Sequence, residues 1–231
     1  MSHKLVSVIM SVYNGEKTIE KSIDSILNQD YKNIELLLLD DCSEDKTFEI
    51  CERYTKLYEN VKLFRNKKNL GLTKSLNILA NYSEGYYLAR QDADDFSSQL
   101  RISSQLEFIK NYNLDACCTR AYVMNTKKIT PAKSFYLPKS FVMKIKNPFI
   151  HGTLIIKKSV FNKVGQYDEN FYYSQDFKLM SDLINNKFKI KILKEPLYSL
   201  NLQGNISLKN KKEQQFYAYC VKKKINPKDL I

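Results

Sequence analysis

Tryptophan is absent from the 231 residues, and nowhere does the chain run through the ~18 to 20 consecutive apolar residues that a membrane-spanning helix needs. No leader is expected ahead of Val6. Cysteine is scarce and odd in number. Cys42, Cys51, Cys117, Cys118 and Cys220 offer neither an even disulfide framework nor a paired CxxC zinc site, so a reducing cytoplasm is the expected compartment. No GxGxxG follows the first apolar run, which removes the main feature of a nicotinamide-cofactor fold. No GxxxxGKS or GxxxxGKT occurs, which removes the Walker loop. Carboxylates are missing over one long stretch: none lies between Asp115 and Asp168, while ten basic residues fall from Arg120 to Lys163. No internal repeat and no linker composition interrupts the chain, so one domain is expected.

What is present is a globular composition, 43% hydrophobic and 27% charged, with 37 Lys+Arg against 25 Asp+Glu and a net charge of +12. Such a surplus suits nucleic acid, an anionic membrane surface or a phosphorylated substrate. Its distribution decides among them. Acids cluster at Asp40, Asp41, Glu44 and Asp45 and again at Asp92, Asp94 and Asp95, places where a duplex binder would not put them. A non-catalytic basic polyanion-binding domain leaves those clusters unexplained. The Lys-rich end, seven Lys from Asn205 to Ile231 against Glu213 and Asp229, forms a second basic region.

Apolar, β-branched runs at Leu5–Met10, Ile34–Leu39, Val61–Phe64 and Tyr86–Ala89 read as strands. Between them Ile19, Ile23, Ile26 and Leu27 share one helical face. A helix over about 46–58 follows, and Leu72, Leu76, Leu79 and Ala80 mark a third. Repeated strand–loop–helix units predict a parallel α/β sheet with right-handed crossovers. The polar loops Ser11–Asn14, Asp40–Asp45, Asn66–Gly71 and Asp92–Asp95 then converge at the carboxyl ends of the strands, where such sheets bind ligands. The second half is less regular. A helix carries Ile102, Leu106 and Ile109, a strand spans Ala116–Val123, and Thr130–Pro148 is irregular. A strand at Leu154–Ile156, a helix at Asp176–Asn185, an edge strand at Phe188–Leu193 and a basic helix at Lys209–Lys224 complete the chain.

Three carboxylates within Asp92-Ala93-Asp94-Asp95 repel one another unless water or a cation lies among them. One or two carboxylates plus substrate phosphates suit Mg²⁺ or Mn²⁺. A carboxylate at the end of a second strand, as at Asp40-Asp41, commonly receives hydrogen bonds from a nucleoside; capping the following helix is the alternative.

At these residues the chain resembles the family-2 glycosyltransferases with the GT-A fold. The opening VSVIMSVYNGEKTIEKSIDSILNQDYKNIELLLLDDCSEDKT carries the resemblance, followed in order by NLGLTKSLN, YYLARQDADD, HGTLIIKKSVFNKVGQYDENF and SQDFKL, over roughly residues 4 to 205. The resemblance implies a Rossmann-like, mostly parallel central sheet flanked by helices. A nucleotide-sugar half would cover 1–115, a less regular acceptor half 116–205, and a basic helix or tail 206–231. It implies a metal-dependent, inverting hexosyltransferase, with Mn²⁺ or Mg²⁺, acting on a nucleoside-diphosphate sugar and most often a UDP-sugar. Ser11 and Tyr13 would line the nucleobase pocket, with Asp41 bonding the base and Lys74 and Arg90 contacting base or phosphate. Asp92 and Asp94 would meet the ribose and the diphosphate. Asp94 and Asp95 would hold the metal, Asp95 at the family's usual direct contact. Asp176 aligns with the catalytic base, after Gln175 where the family more often has Glu.

His151 falls in the loop near donor sugar and acceptor, and Tyr172 and Tyr173, with Phe171, are acceptor-side stacking candidates. The family's late His is replaced near Asn201, where Gln203 or Lys209 are further candidates. The expected setting is cell-surface polysaccharide synthesis, such as capsule or lipopolysaccharide. The acceptor would be a glycan or lipid-linked, the partner surface an anionic membrane reached through the Lys-rich tail, and no nucleic acid is expected. The location is cytoplasmic, peripheral at the inner face of the cell membrane. A sugar-phosphate nucleotidyltransferase also uses paired carboxylates on a metal, but SVYNGEKT lacks its Gly-rich, Arg-containing first loop.

Overall fold

The computed structural model describes residues 4–202 and 210–230. Strands β1 (Val6–Val12) and β2 (Ile34–Asp40) are buried along their whole length, so both read as near-continuous apolar runs: a parallel strand covered on both faces has no polar side. β1 pairs in parallel with β2 and with β4 (Tyr87–Arg90), and β2 pairs in parallel with β3 (Val61–Arg65). Helices α1 (Ile19–Leu27), α2 (Thr47–Leu57) and α3 (Leu72–Tyr82) make the connections, each within a residue or two of its sequence expectation.

Alternate strand residues enter two cores. Val6, Val8, Met10, Leu36 and Leu38 pack with α1, α2 and α4 (Arg101–Asn111). Ile9, Leu37 and Leu39 pack on the other face with α3, α6 (Lys158–Lys163), α7 (Gln175–Asn185) and α8 (Lys211–Lys223). Each fully buried Leu contributes about 1.5–3 kcal/mol, against about 0–1 kcal/mol for an exposed ion pair. The sheet, rather than surface charge, therefore fixes the loops at its carboxyl edge.

Beyond β4 the direction changes. β8 (Ile155–Lys157) runs antiparallel to β4, and β6 (Ala116–Val123) antiparallel to β8. β9 (Ile190–Leu200) lies parallel to β6, β7 (Ile129–Thr130) makes a hairpin on β6, and β5 (Phe96–Ser97) pairs with the far end of β9. The strand order is 3-2-1-4-8-6-9-5, with β7 off that path. The edge strand expected at Phe188–Leu193 is thus longer, and its last turn is paired on both sides: β6 on one, β5 at Tyr198 and Ser199 on the other. β5 and α6 are too short to show a period in sequence. The irregular stretch 130–148 holds a 3₁₀ turn at Lys133–Phe135 and one short α-helix, α5 (Lys139–Val142). Of the helix expected over Lys209–Lys224, Lys209 lies outside the described residues, as does Gln203.

Candidate active site

Three of the four rim loops, 11–14, 40–45 and 66–71, form one bonded network. Asn14, at φ 52°, donates its backbone N–H to Ser43 Oγ at 2.9 Å, and its side chain accepts from Glu44 N at 2.9 Å. Asp41, 3% exposed, accepts from Leu70 N (2.9 Å), Gly71 N (2.8 Å) and Asn66 Nδ2 (2.7 Å), so its carboxylate shapes the 66–71 loop. It does not cap α2, whose first turn is held by Asp45 accepting from Thr47 N at 3.0 Å. Asp40 is fully buried and pairs with Arg65 Nε at 3.0 Å. Ser11 lies buried at the end of β1, while Tyr13 is 47% exposed and Lys74 projects from α3 into solvent.

In the acid loop the three carboxylates have separate fates. Arg90, 2% exposed, pairs with Asp92 Oδ1 at 2.5 Å and also donates to the backbone carbonyls of Ile9 and Gln91. Gln91 donates to Ser22 Oγ (3.1 Å) and to the carbonyls of Asp92 (3.1 Å) and Asp95 (3.0 Å). Tyr198 Oη accepts from Asp92 N at 3.1 Å, and Asp95 Oδ1 accepts from Asn201 N at 2.6 Å. Asp95 is 1% exposed; Asp92 and Asp94 are only half-buried. A Cβ on Gly152 would lie 2.5 Å from Asp92 Oδ2 and closer still to the Tyr198 hydroxyl. Glycine is what lets the 151–153 turn approach the acid loop.

That turn joins the acids to the second half. His151 Nε2 contacts Tyr167 Oη at 2.7 Å, and the ring is loosely T-shaped against Tyr167, with centroids 5.4 Å apart. Burial, then the charge of Arg90, lowers the His151 pKa, while Asp176 and Asp92 act in the opposite sense; the imidazole is therefore neutral near pH 7. Asp176 lies in the first turn of α7, and its Oδ2 accepts from Asn147 Nδ2 at 2.8 Å. The N-cap of α7 is Ser174, at φ 57°, so capping does not account for Asp176. Gln175 is buried at 8% exposure, and Tyr172 at 54% leans its ring on Gly71, where a Cβ would meet Cε2 at 2.8 Å. Tyr173 stacks edge-on between Tyr172 and Tyr217 of α8.

Residues 7–165 match the family model described as "Glycosyl transferase family 2". EpsE of Bacillus subtilis strain 168, named as a glycosyltransferase, is 35% identical over 200 residues, covering 84% of this chain and 72% of its own. The chain belongs to glycosyltransferase family 2. It is also 28% identical over 201 residues, 83% of its length, to 22% of the minor teichoic acid biosynthesis protein GgaB of the same organism. Among solved structures, S. aureus TarS 1–349 in complex with UDP superposes with TM-score 0.74 at 22% identity, over 94% of this chain and 64% of that one. The mannosyltransferase PcManGT from Pyrobaculum calidifontis, in complex with GDP-Man and Mn²⁺, gives TM-score 0.74 at 16% identity, over 94% and 62%. This chain is a transferase with the GT-A fold.

Divalent metal fits the glycosyltransferase's acid loop only in part. The donors are hard oxygens, and burial followed by the charge of Asp92 pushes Asp94 up to about 6 and Asp95 up to about 8. Near pH 7 Asp94 is thus mostly ionised and Asp95 mostly protonated, and a positive neighbour would favour the charged form of both. Yet among the described residues no three His, Cys, Asp or Glu side chains converge as a metal-holding group. Asp95 faces the Asn201 amide rather than solvent.

These shifts have a sign for stability. Unfolded aspartates titrate near about 3.9. Between about pH 4 and pH 8 these two carboxyls therefore bind more protons in the folded chain than in the unfolded one, and the stability they contribute falls as pH rises through that window. The metal-free melting temperature is expected to drop from about pH 5 to about pH 8, and Asp95→Asn to flatten the drop; parallel curves from scanning calorimetry would contradict this.

Sequence reasoning missed Asn147, Tyr167, Tyr198, Gln91 and Arg101. Arg101 is completely buried and donates to the carbonyls of Arg90 and Gly152, both at 3.0 Å, tying the acid loop to the 151–153 turn. Burial lowers it to about 10, so it remains a cation beneath the acids. Its place in an RISSQLEF helix gave no hint, since an Arg at a helix start reads as surface.

Proposed function

We propose that this glycosyltransferase moves a sugar from a nucleoside-diphosphate sugar, with uracil as the base, to a hydroxyl of a glycan or lipid-linked acceptor, with inversion, during cell-surface polysaccharide synthesis. One observation carries the reading. Asp92 of the donor rim lies against the 151–153 turn, at Gly152, and Asp92 and Asp176 both act electrostatically on His151 of that turn and on its partner Tyr167, which supports a site shared by the two carboxylates. Inversion needs that arrangement: the acceptor oxygen attacks the anomeric carbon from the side opposite the departing diphosphate. Asp176, oriented by Asn147, takes the hydroxyl proton, a contribution of typically ~10²- to 10⁴-fold. His151, neutral, holds a hydrogen bond at the reacting centre and carries no charge toward the diphosphate.

Tyr13 and Ser11 border the base pocket, with Lys74 toward the phosphates. Asp41 and Arg90 act one step back, Asp41 through the 66–71 loop and Arg90 through Asp92. Asp94, with Asp92, would hold Mn²⁺ or Mg²⁺, and Asp95 with Asn201 would brace them. Bound there, such a cation neutralises the charge developing on the leaving diphosphate. The TarS complex with UDP and the PcManGT complex with GDP-Man and Mn²⁺ support a nucleotide donor and a metal. GgaB's name supports a surface glycan. We read the chain as one catalytic domain working at the cytoplasmic face of the membrane. Among the described residues no helix is long and apolar enough to cross a bilayer.

Calorimetry is expected to detect UDP binding that strengthens with Mn²⁺, and a donor screen to release UDP. Absence of binding to any nucleoside diphosphate with metal present would reject the reading. Release of pyrophosphate would instead favour a nucleotidyltransferase.

A further inference from the structure

An ordinary water-facing segment turns its polar side outward. Residues 133–146 turn large apolar side chains outward as well. Backbone bonds from Val142 N to Pro138 O, Met143 N to Lys139 O and Lys146 N to Val142 O wind the stretch around α5. Val142 and Met143 point into the core at 3% and 9% exposure. Phe141 and Ile145, four residues apart and so on one face, are 54% and 60% exposed; Tyr136 and Leu137 in the preceding turn are 72% and 47%. Four large apolar side chains on one surface segment form a patch rather than the scatter normal for a soluble surface.

The charge around that patch has one sign. Lys133, Lys144 and Lys146 are exposed within the segment, and Lys127 and Lys128 are exposed at the tip of the β6–β7 hairpin. Among the described residues none of these five lysines has a carboxylate within ion-pair distance, and the sequence holds no acid from 116 to 167. Arg120 of β6 ties hairpin and segment together, donating to Pro131 O at 3.1 Å with its guanidinium 5.1 Å from the Phe135 ring centroid. Lys139 takes no part, because it donates to the carbonyls of Ser134, Phe135 and Leu137. Exposed aromatic and aliphatic side chains ringed by unpaired lysines match an anionic lipid surface, where the rings enter the headgroup boundary and the ammonium groups meet phosphates.

We propose that residues 133–146, with the 127–128 hairpin tip, are the element by which this protein docks on an anionic bilayer. The place differs from the Lys-rich end of the chain: α8 is braced against α7, with Ser174 Oγ donating to Gln214 O at 3.2 Å and Tyr217 against Phe171 and Tyr173. The docking segment runs directly into Asn147, the partner of Asp176. Docking would thus set the acceptor side of the site against the membrane, where a lipid-linked hydroxyl is delivered. That purpose rests on the function proposed above; the docking itself does not.

The test is co-sedimentation of the full chain with vesicles of phosphatidylglycerol in phosphatidylcholine, and with phosphatidylcholine alone. Wild type is expected to bind the mixed vesicles and not the neutral ones. Phe141→Ser with Ile145→Ser, and separately Lys144→Glu with Lys146→Glu, are each expected to weaken binding by about tenfold or more. The substituted side chains are exposed, so melting temperature and UDP affinity should stay at wild-type values. Failure of wild type to bind, or undiminished binding by both variants, overturns the proposal. So does a wild-type dimer in sedimentation velocity that the Phe141/Ile145 variant dissolves, since a second copy would then cover the face. Vesicle binding without UDP binding would reject the catalytic reading and leave docking standing.

Discussion

Asp176→Asn is expected to lower the turnover of sugar transfer by about 10² to 10⁴-fold while UDP affinity stays within about twofold. The substitution keeps the size of the side chain and its bond to Asn147, and removes only the ability to take a proton. The Asp176 carboxylate is bonded to Asn147 and not to the rim loops that would receive the nucleotide, so donor binding has no reason to change. Asn147→Ala is the milder companion, since it frees the carboxylate to rotate without abolishing its basicity. Single-turnover transfer rates alongside nucleotide calorimetry make the distinction. Equal turnover in Asp176→Asn removes the residue from its role, and a matching loss of UDP affinity would mean that the rim had been disturbed.

Gly152→Ala is expected to cost transfer about 10²-fold with the fold intact. A methyl group there cannot coexist with both Asp92 Oδ2 and the Tyr198 hydroxyl in their present places. Tyr198 is 1% exposed and packed with Arg101, whose guanidinium lies 5.5 Å from its ring centroid, so it has little room to retreat. Asp92 is half-buried and moves instead, breaking its pairing with Arg90. A displacement of about 1 Å at a reacting centre is enough for a loss of that order. Because Asp92 belongs to the donor side, KM for the donor should rise together with the fall in turnover, unlike the pattern for Asp176. A normal rate in a variant that melts like wild type would contradict the placement of this turn.

The first half was legible because its physics is local. Five of the seven buried residues in β1 and five of the seven in β2 are apolar and run nearly unbroken, and helices of nine to eleven residues carry several turns of their period. The rim followed from topology alone, since parallel strands send their loops to one edge. Legibility failed where polar groups turn inward. Asp95, expected as a metal contact, is the most buried acid of its cluster, and a sequence pattern carries no sign that an amide 106 residues away closes on it. Arg101 and Tyr198 failed for the same reason, as buried polar groups whose partners come from other strands. Residues 130–148 carry neither period, so their outward apolar face was visible only in three dimensions.

The contacts that fasten the acid loop have a consequence for the order in which the protein is made. Asp92 and Asp95 are held by Tyr198 of β9 and by Asn201 just beyond it, each 106 positions further along the chain. The span 7–165 contains every acid of the donor rim but neither of these clasps. A nascent chain of that length can build the parallel sheet and still leave the acids unanchored. The loop closes only when β9 has been synthesised and inserted beside β6, so the acid loop is among the last parts of the molecule to be finished although its residues emerge in the first half of the chain.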